Sequence, residues 1–398
     1  MSSQLTRLAD HCELITKGTT PTTLGFDFAD SGVPFLRVQN IEGGSVNYAK
    51  DTLFIDQKTH QALERSQIQP GDVLVSIAGS IGRAGVVPDS APALNCNQAV
   101  AIVRTRGTVY RPFLRHWLES FGAQGQMRGA TVTGTISNLS LTQLGNLKLP
   151  LPSLPEQLRI ADILDKADAL RAKRRAALGQ LDTLTQSIFL EMFGDPATNP
   201  HGFPRRPLAS LVREDDTINY GVVQPGDDLD EDQGVPLVRV GDLIEGRVRH
   251  SELKRIAPSI EAAYKRSRLR GDEILVSCVG SIGVVVLADE SVKGFNVARA
   301  VARVPVASTT NRQFLGAYLR TDFVQRYFTS ELRTVSQPTL NIKQLSETPV
   351  IVPPIESQQK FAWRLSGVEK LRTAGDKSLR NLSALFGALQ HRAFQGEL

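Results

Sequence analysis

The chain has 398 residues, 41% hydrophobic and 22% charged, which is ample for two domains with connectors and ordinary for a soluble globular protein. No uninterrupted apolar run reaches membrane-spanning length, and Met1-Ser-Ser-Gln-Leu-Thr-Arg7 is not a basic-then-apolar leader, so a cytoplasmic protein without membrane association is expected. A net charge of +5 permits a polyanionic partner without demanding one, and three isolated cysteines (Cys12, Cys96 and Cys278) argue against a disulfide framework or a zinc site.

In chain order, the first elements are short β-rich runs at 33–38 and 73–77, set among Gly- and Pro-rich turns. A helical stretch follows at 110–121, then a Pro-rich strand at 147–152 that leads into a long helix. The same order then repeats, with a helical stretch at 311–328, a Pro-rich strand at 348–354 and a second long helix.

The repetition is written in residues as well as in pattern. Leu74-Val-Ser-Ile-Ala-Gly-Ser-Ile-Gly82 recurs as Leu275-Val-Ser-Cys-Val-Gly-Ser-Ile-Gly283, an offset of 201 residues from Ser80 to Ser281 (281 − 80). Alone, each copy reads as a strand entering a tight turn. At the same offset, with slips of a residue or two at loops, Val33-Pro-Phe-Leu-Arg-Val38 faces Val235-Pro-Leu-Val-Arg-Val240, and Pro70-Gly-Asp72 faces Arg270-Gly-Asp272. Ala99-Val-Ala101 faces Ala300-Val-Ala302, and Asn138-Leu-Ser-Leu-Thr-Gln-Leu144 faces Thr339-Leu-Asn-Ile-Lys-Gln-Leu345. A duplicated mixed α/β domain followed by a helix accounts for this order.

Along the first helix Ile160, Ile163, Ala167, Leu170, Ala177, Leu181, Leu184 and Ile188 step by threes and fours, broken only at Arg174. The corresponding seam of the second helix is Phe361, Val368, Leu371, Leu382, Leu385 and Leu389, weakened at Arg364, Gly375 and Ser378. This heptad pattern predicts helix-on-helix pairing. The intervening charges, among them Lys173-Arg-Arg175 and Asp162, Asp165 and Asp168, read as a solvated face. Helices of about 35 residues would span roughly 50 Å at ~1.5 Å per residue. The expected fold is therefore two similar α/β domains separated by a long antiparallel coiled-coil pair, with pseudo-two-fold symmetry. Its boundaries would be 1–153 and 197–353 for the domains, and 154–196 and 354–398 for the helices. Two readers at fixed separation suit duplex DNA.

The block Leu151-Pro-Ser-Leu-Pro-Glu-Gln-Leu-Arg-Ile-Ala-Asp-Ile-Leu-Asp-Lys-Ala-Asp-Ala-Leu-Arg171 resembles the central spacer helix of the specificity (S) subunits of type I restriction–modification systems. The Gly-Asp-Val-Leu-Val-Ser run with its Gly-Ser-Ile-Gly turn, and Tyr220-Gly-Val-Val-Gln-Pro-Gly226, resemble stretches of that family's target recognition domains. The resemblance covers the whole chain. It implies a DNA-reading subunit bound to two methyltransferase (M) subunits and, where restriction operates, to endonuclease/translocase (R) subunits. Each recognition domain would read one half of a bipartite asymmetric target. S-adenosylmethionine would belong to the M subunits, ATP and Mg to the R subunits, and no cofactor to this chain. The second helix departs from the family's Pro-Glu-Gln opening with Pro354-Ile-Glu-Ser-Gln358, which puts equivalent M docking in doubt.

DNA contacts call for Arg, Lys, Asn, Gln, Ser and Thr on exposed loops. In the first domain the candidates are Lys17, Thr19, Thr20, Arg37, Asn40, Ser80, Arg83, Thr133 and Thr135. In the second they are Tyr220, Gln224, Arg239, Ser281, Arg333 and Ser336. Arg37 and Arg239 lie in strand-like runs, where a structural ion pair is the competing role. No Asn-Pro-Pro-aromatic motif, phosphate loop or H-E-x-x-H occurs, and the six histidines are scattered, so neither a catalytic nor a metal site is expected. Two other readings share some of these features: the specificity chain of a fused methyltransferase–nuclease system, and a coiled-coil scaffold with two protein-binding heads.

Overall fold

The computed structural model describes residues 5–49, 51–130, 138–244, 246–332 and 338–398. The chain divides into two compact units, one made of residues 1–175 and 377–398, the other of 176–376. Among the described residues, no helix is long and apolar enough to cross a membrane.

In the first unit β1 (Leu5–Arg7), β2 (Cys12–Lys17), β3 (Val33–Leu36), β4 (Ile41–Glu42), β5 (Ser45–Val46) and β6 (Leu53–Ile55) precede helix α1 (Gln57–Ala62). Next come β7 (Val73–Ser76), β8 (Ala84–Val86), β9 (Asn95–Cys96) and β10 (Val100–Thr105). Helices α2 (Arg111–Leu118), α3 (Phe121–Ala130) and α4 (Leu141–Gly145), strand β11 (Lys148–Pro150) and the long α5 (Leu154–Phe193) complete the segment. The main sheet has six strands in the order β2-β10-β7-β8-β5-β4, flanked by a three-stranded sheet β6-β3-β9.

The unbroken apolar runs follow from burial on both faces of the sheet. Val73, Val75, Ala101 and Val103 pack toward Phe113 and Trp117 of α2, while the alternate residues Leu74, Val100 and Ile102 pack toward Leu36 and Ile41. Full burial of such side chains contributes about 1.5–3 kcal/mol each. Helix α4 starts where Ser140 accepts from the Gln143 backbone N–H and the Gln143 side chain accepts from the Ser140 N–H, a reciprocal cap read directly from Ser-Leu-Thr-Gln.

The second unit repeats the plan. It holds β12 (Arg205–Pro207), β13 (Asn219–Tyr220), β14 (Val235–Val238), β15 (Leu243–Ile244), β16 (Arg247–Val248), β17 (Lys254–Ile256) and α6 (Pro258–Ala263). Then follow β18 (Ile274–Ser277), β19 (Val285–Leu287), β20 (Asn296–Val297), β21 (Val301–Val304), α7 (Arg312–Leu319), α8 (Asp322–Ser330), α9 (Ile342–Ser346), β22 (Pro349–Ile351) and α10 (Ile355–Gln395). Its central sheet is β13-β21-β18-β19, beside β17-β14-β20, and Asn341 with Gln344 caps α9 as Ser140 with Gln143 caps α4.

The long helices have 40 and 41 residues, more than the ~35 expected from the heptad count. They run antiparallel within each unit. In the first, Arg159 donates to the Leu398 carbonyl at 2.5 Å and the Arg171 guanidinium lies 4.4 Å from the Phe386 ring centre. In the second, Glu191 pairs with Arg364 at 2.9 Å and Phe189 meets Phe361. Both helices begin with a buried glutamine. Gln157 accepts from the Tyr110 N–H and donates to the Thr108 and Pro152 carbonyls; Gln358 accepts from the Asn311 N–H and donates to the Pro353 carbonyl. The altered opening of the second helix therefore keeps the anchoring residue in register.

The seam itself needs correcting. Ile160, Ile188, Phe361 and Val368 are buried, and Ile163, Ala167, Leu181, Leu382 and Leu389 half-buried, but Leu170, Ala177, Leu184, Leu371 and Leu385 face solvent. One residue further on, α5 covers a second stripe, with Leu164 and Phe189 buried and Asp168, Arg171, Leu178 and Thr185 half-buried. A search for apolar residues skips it because it contains polar ones that are satisfied internally: Asp168 binds Arg115 and Arg171, and Thr185 donates to the Leu181 carbonyl. Gly375 is not a weak point in the pairing. It is buried, and a Cβ there would stand 2.7 Å from Leu178, so the bare backbone admits that leucine.

The acidic row is likewise only partly a solvated face. Asp162 pairs with Lys166 at the surface, whereas Asp165 bonds His116 at 2.7 Å and Asp168 bonds Arg115 at 2.8 Å.

Candidate nucleic-acid interface

Strand register brings the candidate loops together at one end of each central sheet. Lys17 lies opposite Ala101, Val100 opposite Ser76, and Val75 opposite Ala84. The chain leaving β2, the turn from β7 to β8 and the approach to β10 therefore share an end. In the second unit Tyr220 opposite Ala302, Val301 opposite Ser277 and Val276 opposite Val285 do the same.

The Gly-Ser-Ile-Gly turn is built the same way in both copies. Gly79 and Gly82, like Gly280 and Gly283, hold positive φ between 71° and 87°, which glycine adopts without steric cost. Beneath the turn, the buried Ser76 hydroxyl donates to the Ser80 carbonyl at 2.5 Å and accepts from the Arg83 N–H at 2.8 Å. Ser277 likewise donates to the Ser281 carbonyl and accepts from the Val284 N–H at 2.8 Å. Gln124 of α3 and Gln325 of α8 donate to the Gly82 and Gly283 carbonyls at 2.9 and 3.1 Å. The turns are thus rigid, with Ser80 and Ser281 exposed at their tips and Arg83 exposed beside the first. Beside them, Ala78 bridges to Asn138 and Val279 to Thr339.

Lys17, Thr19 and Thr20 are half-exposed at the same end, with the Thr19 N–H donating to the Cys96 carbonyl and the Thr20 hydroxyl to Gln98. Gln224 is exposed on the corresponding loop of the second unit. Tyr220 is half-buried and its hydroxyl donates to the Leu340 carbonyl at 2.6 Å; burial raises its pKa, so it stays a neutral donor committed to the scaffold.

Asn40 is a correction. It is 1% exposed; its Oδ1 accepts from the Arg37 N–H, and its amide donates to the Asn47 carbonyl. Asp242 does the same work in the second unit, accepting from the Arg239 N–H at 2.9 Å and pairing with the Arg239 guanidinium at 3.1 Å. Arg239 also donates to the Glu252 carbonyl, and Arg37 to that of Asp51. Both arginines brace a turn, Arg239 through the structural ion pair named as its competing role and Arg37 through a backbone carbonyl instead. Thr133, Thr135, Arg333 and Ser336 lie outside the described residues.

Among the described residues no cluster of His, Cys, Asp and Glu could hold a metal ion. The three cysteines are free and buried, and burial pushes the Cys12 and Cys278 thiols up to about 12, far from a nucleophilic thiolate.

A family model described as the type I restriction modification DNA specificity domain matches residues 3–180 and again 217–381. The chain belongs to that family. The specificity subunit of the type I restriction enzyme EcoBI from Escherichia coli is 29% identical over 415 residues, covering 96% of this chain and 84% of the relative. The EcoKI specificity subunit of E. coli strain K12 is 19% identical, over 93% and 83%. In fold, the chain is similar to the type I restriction–modification S subunit of M. genitalium (TM-score 0.52, 15% identity, 98% and 96% covered). It is also similar to a chain described under "Structural basis underlying complex assembly and conformational transition of the type I R-M system" (TM-score 0.54, 18% identity, 100% and 98% covered). This type I specificity chain is a DNA-recognition subunit with two recognition domains and paired long helices.

Two residues at the sheet ends were missed by the sequence reading. Gln98 and Arg299 occupy the position just before Ala99 and Ala300, and both are exposed. The register match at Ala-Val-Ala passes directly beside them, and the signal was a pair of polar residues, Gln98 and Arg299, that differ next to it.

Proposed function

We propose that this subunit reads a bipartite, asymmetric DNA target, one half-site per recognition domain, and directs adenine methylation and restriction carried out by partner chains. The observation that carries this reading is the duplicated loop cluster: one rigid Gly-Ser-Ile-Gly scaffold in both units, with different side chains around it. A shared frame supplies contacts common to any duplex, and the differing side chains supply base readout.

Methyl transfer from S-adenosylmethionine is assigned to M partners, and ATP- and Mg-dependent translocation and cleavage to R partners, in the cytoplasm. Two M subunits fit the exposed leucines left over from the helix seam. The first unit presents Leu170 and Leu385, the second Leu184 and Leu371, one set per unit.

The deciding experiment is single-molecule methylome sequencing of the host with and without this gene. Loss of one two-part methyl-adenine motif on deletion is the expected result. An unchanged methylome, together with DNA binding by the co-purified complex that is indifferent to salt, would refute the reading, because phosphate contacts make affinity fall steeply with salt.

A further inference from the structure

We propose that Gln98 and Arg299 are the corresponding base-reading residues of the two half-sites, Gln98 for an adenine and Arg299 for a guanine. This rests on the DNA-reading function above and assigns it to particular atoms.

The two positions share one backbone frame. Just upstream, Asn95 and Asn296 are both buried, and each side-chain carbonyl accepts the next N–H at 2.9 Å, from Cys96 and Val297. Just downstream, the Ala99 and Ala300 carbonyls accept from the Ile77 and Cys278 N–H groups at 2.9 and 2.8 Å, which ties the segment to the strand entering the Gly-Ser-Ile-Gly turn. The Val100 and Val301 N–H groups close the intervening turn on the Asn97 and Ala298 carbonyls. In the second unit the Arg299 N–H itself donates to the Val222 carbonyl at 2.8 Å. Each side chain is thus presented from a fixed backbone, which lowers the conformational cost of holding it against a base edge.

Chemistry then separates these residues from their neighbours. Features identical in both domains, such as Ser80 and Ser281, cannot tell two half-sites apart. Of the exposed or half-exposed positions that differ, Thr20 corresponds to Val223 and Arg83 to Val284, and a valine offers no hydrogen bond. Gln98 and Arg299 alone among these pairs carry two-point hydrogen-bonding groups in both copies. Glutamine matches the N6 donor and N7 acceptor of adenine, and arginine the O6 and N7 acceptors of guanine, in the major groove.

Their surroundings agree. The Thr20 hydroxyl donates to Gln98 Oε1, orienting the amide while leaving Nε2 and a second Oε1 lone pair available. Among the described residues, no carboxylate lies within 4.0 Å of the Arg299 guanidinium.

The test uses the full complex with its methyltransferase partners and reads the methylated motif by single-molecule sequencing. Arg299→Ala and Arg299→Lys should both relax one guanine position in one half-site, by roughly 10- to 100-fold in discrimination, and leave the other half-site unchanged. Gln98→Ala should relax an adenine position in the other half-site, and Arg299→Gln should shift the guanine position toward adenine. The lysine variant keeps the charge but not the two-point geometry. An unchanged motif in Arg299→Lys, with a salt slope lowered by about one in Arg299→Ala, would make Arg299 a phosphate contact and overturn the assignment. Unaltered motif and affinity in all four variants would overturn it as well. A wild-type complex that methylates no two-part motif would instead refute the function on which the assignment rests.

Discussion

The Ser277 hydroxyl, fully buried, donates to one backbone group of its turn and accepts from another. Ser277→Ala would leave the Ser281 carbonyl and the Val284 N–H without that partner, and stranded buried groups cost about 1–3 kcal/mol. We expect a lower Tm for the variant and, in binding assays, a weaker complex whose sequence preference at the second half-site is blurred. A variant as stable and as selective as the wild type would show that the turn needs no support from below. Sequence matching located this turn, since Gly-Ser-Ile-Gly repeats letter for letter. It could not show that the preceding serine is the brace, because an alternating strand with a serine at its end reads the same whether the hydroxyl is used or not. Asn40 illustrates the opposite error: a polar residue in a loop looks like a reader until its amide is found spent on Asn47.

Among the elements, α2 and α7 hold equivalent places yet meet the long helices differently. In the second unit Phe314 and Tyr318 of α7 stack among Phe189, Phe193 and Phe361. In the first, Arg115 and His116 of α2 stand where Gly316 and Ala317 stand in α7. Arg115 bonds Asp168 at 2.8 Å and pairs with Glu119 at 3.3 Å, its Nη1 lies 2.9 and 3.0 Å from the two ring nitrogens of His116, His116 Nε2 lies 2.7 Å from Asp165, and the His116 carbonyl accepts from Gln390. Burial holds the pKa of His116 below its ordinary 6.5, against the pull of Asp165 and with the help of Arg115.

A lowered histidine value means that the unfolded chain takes up the proton first. Stability is full above 6.5 and is lost as pH falls from there toward the lower folded value. Glu119, raised by burial, acts in the opposite sense and nearer its ordinary 4.5. Thermal unfolding should therefore show the first unit weakening as pH falls below 6.5 in the wild type but not in His116→Gln. Identical pH profiles for the two proteins would remove His116 as the cause. The helices themselves were legible from their heptads, but not the face they bury. That face carries Asp168, Arg171 and Thr185, whose polarity is masked only by partners distant in sequence.

At the scale of the whole molecule, chain order and spatial grouping diverge. The order of domain, helix, domain, helix could be read from the repeat, but the last segment of the chain belongs with the first unit. Residues of α10 beyond Asp376 put Phe386, Leu389, Ala393 and Phe394 against the core that holds Phe113, Ile160 and Leu164, and Phe394 meets the Phe113 ring at 5.4 Å. The heptad seams anticipated the returning antiparallel helix, but not which side chains it lends to the first core, since those contacts join residues more than 200 positions apart.

Ending the chain after Asp376 removes that cover from the first unit and nothing from the second, whose core runs from Leu181 to Val368. Opening one aromatic face and the apolar stripe of α5 forfeits several side chains at about 1.5–3 kcal/mol each, enough to exhaust the ~5–15 kcal/mol that ordinarily holds a domain folded. Hydrogen exchange on the truncated protein should accordingly show amides of 154–175 and of the sheet around β7 losing protection, while those of 185–193, β18 and 355–368 keep it. Equal loss in both units would mean that the two fold as one cooperative block. Full protection in both would mean that the terminal segment is dispensable to the fold of the first recognition domain, and that the cluster around Phe113 closes without it.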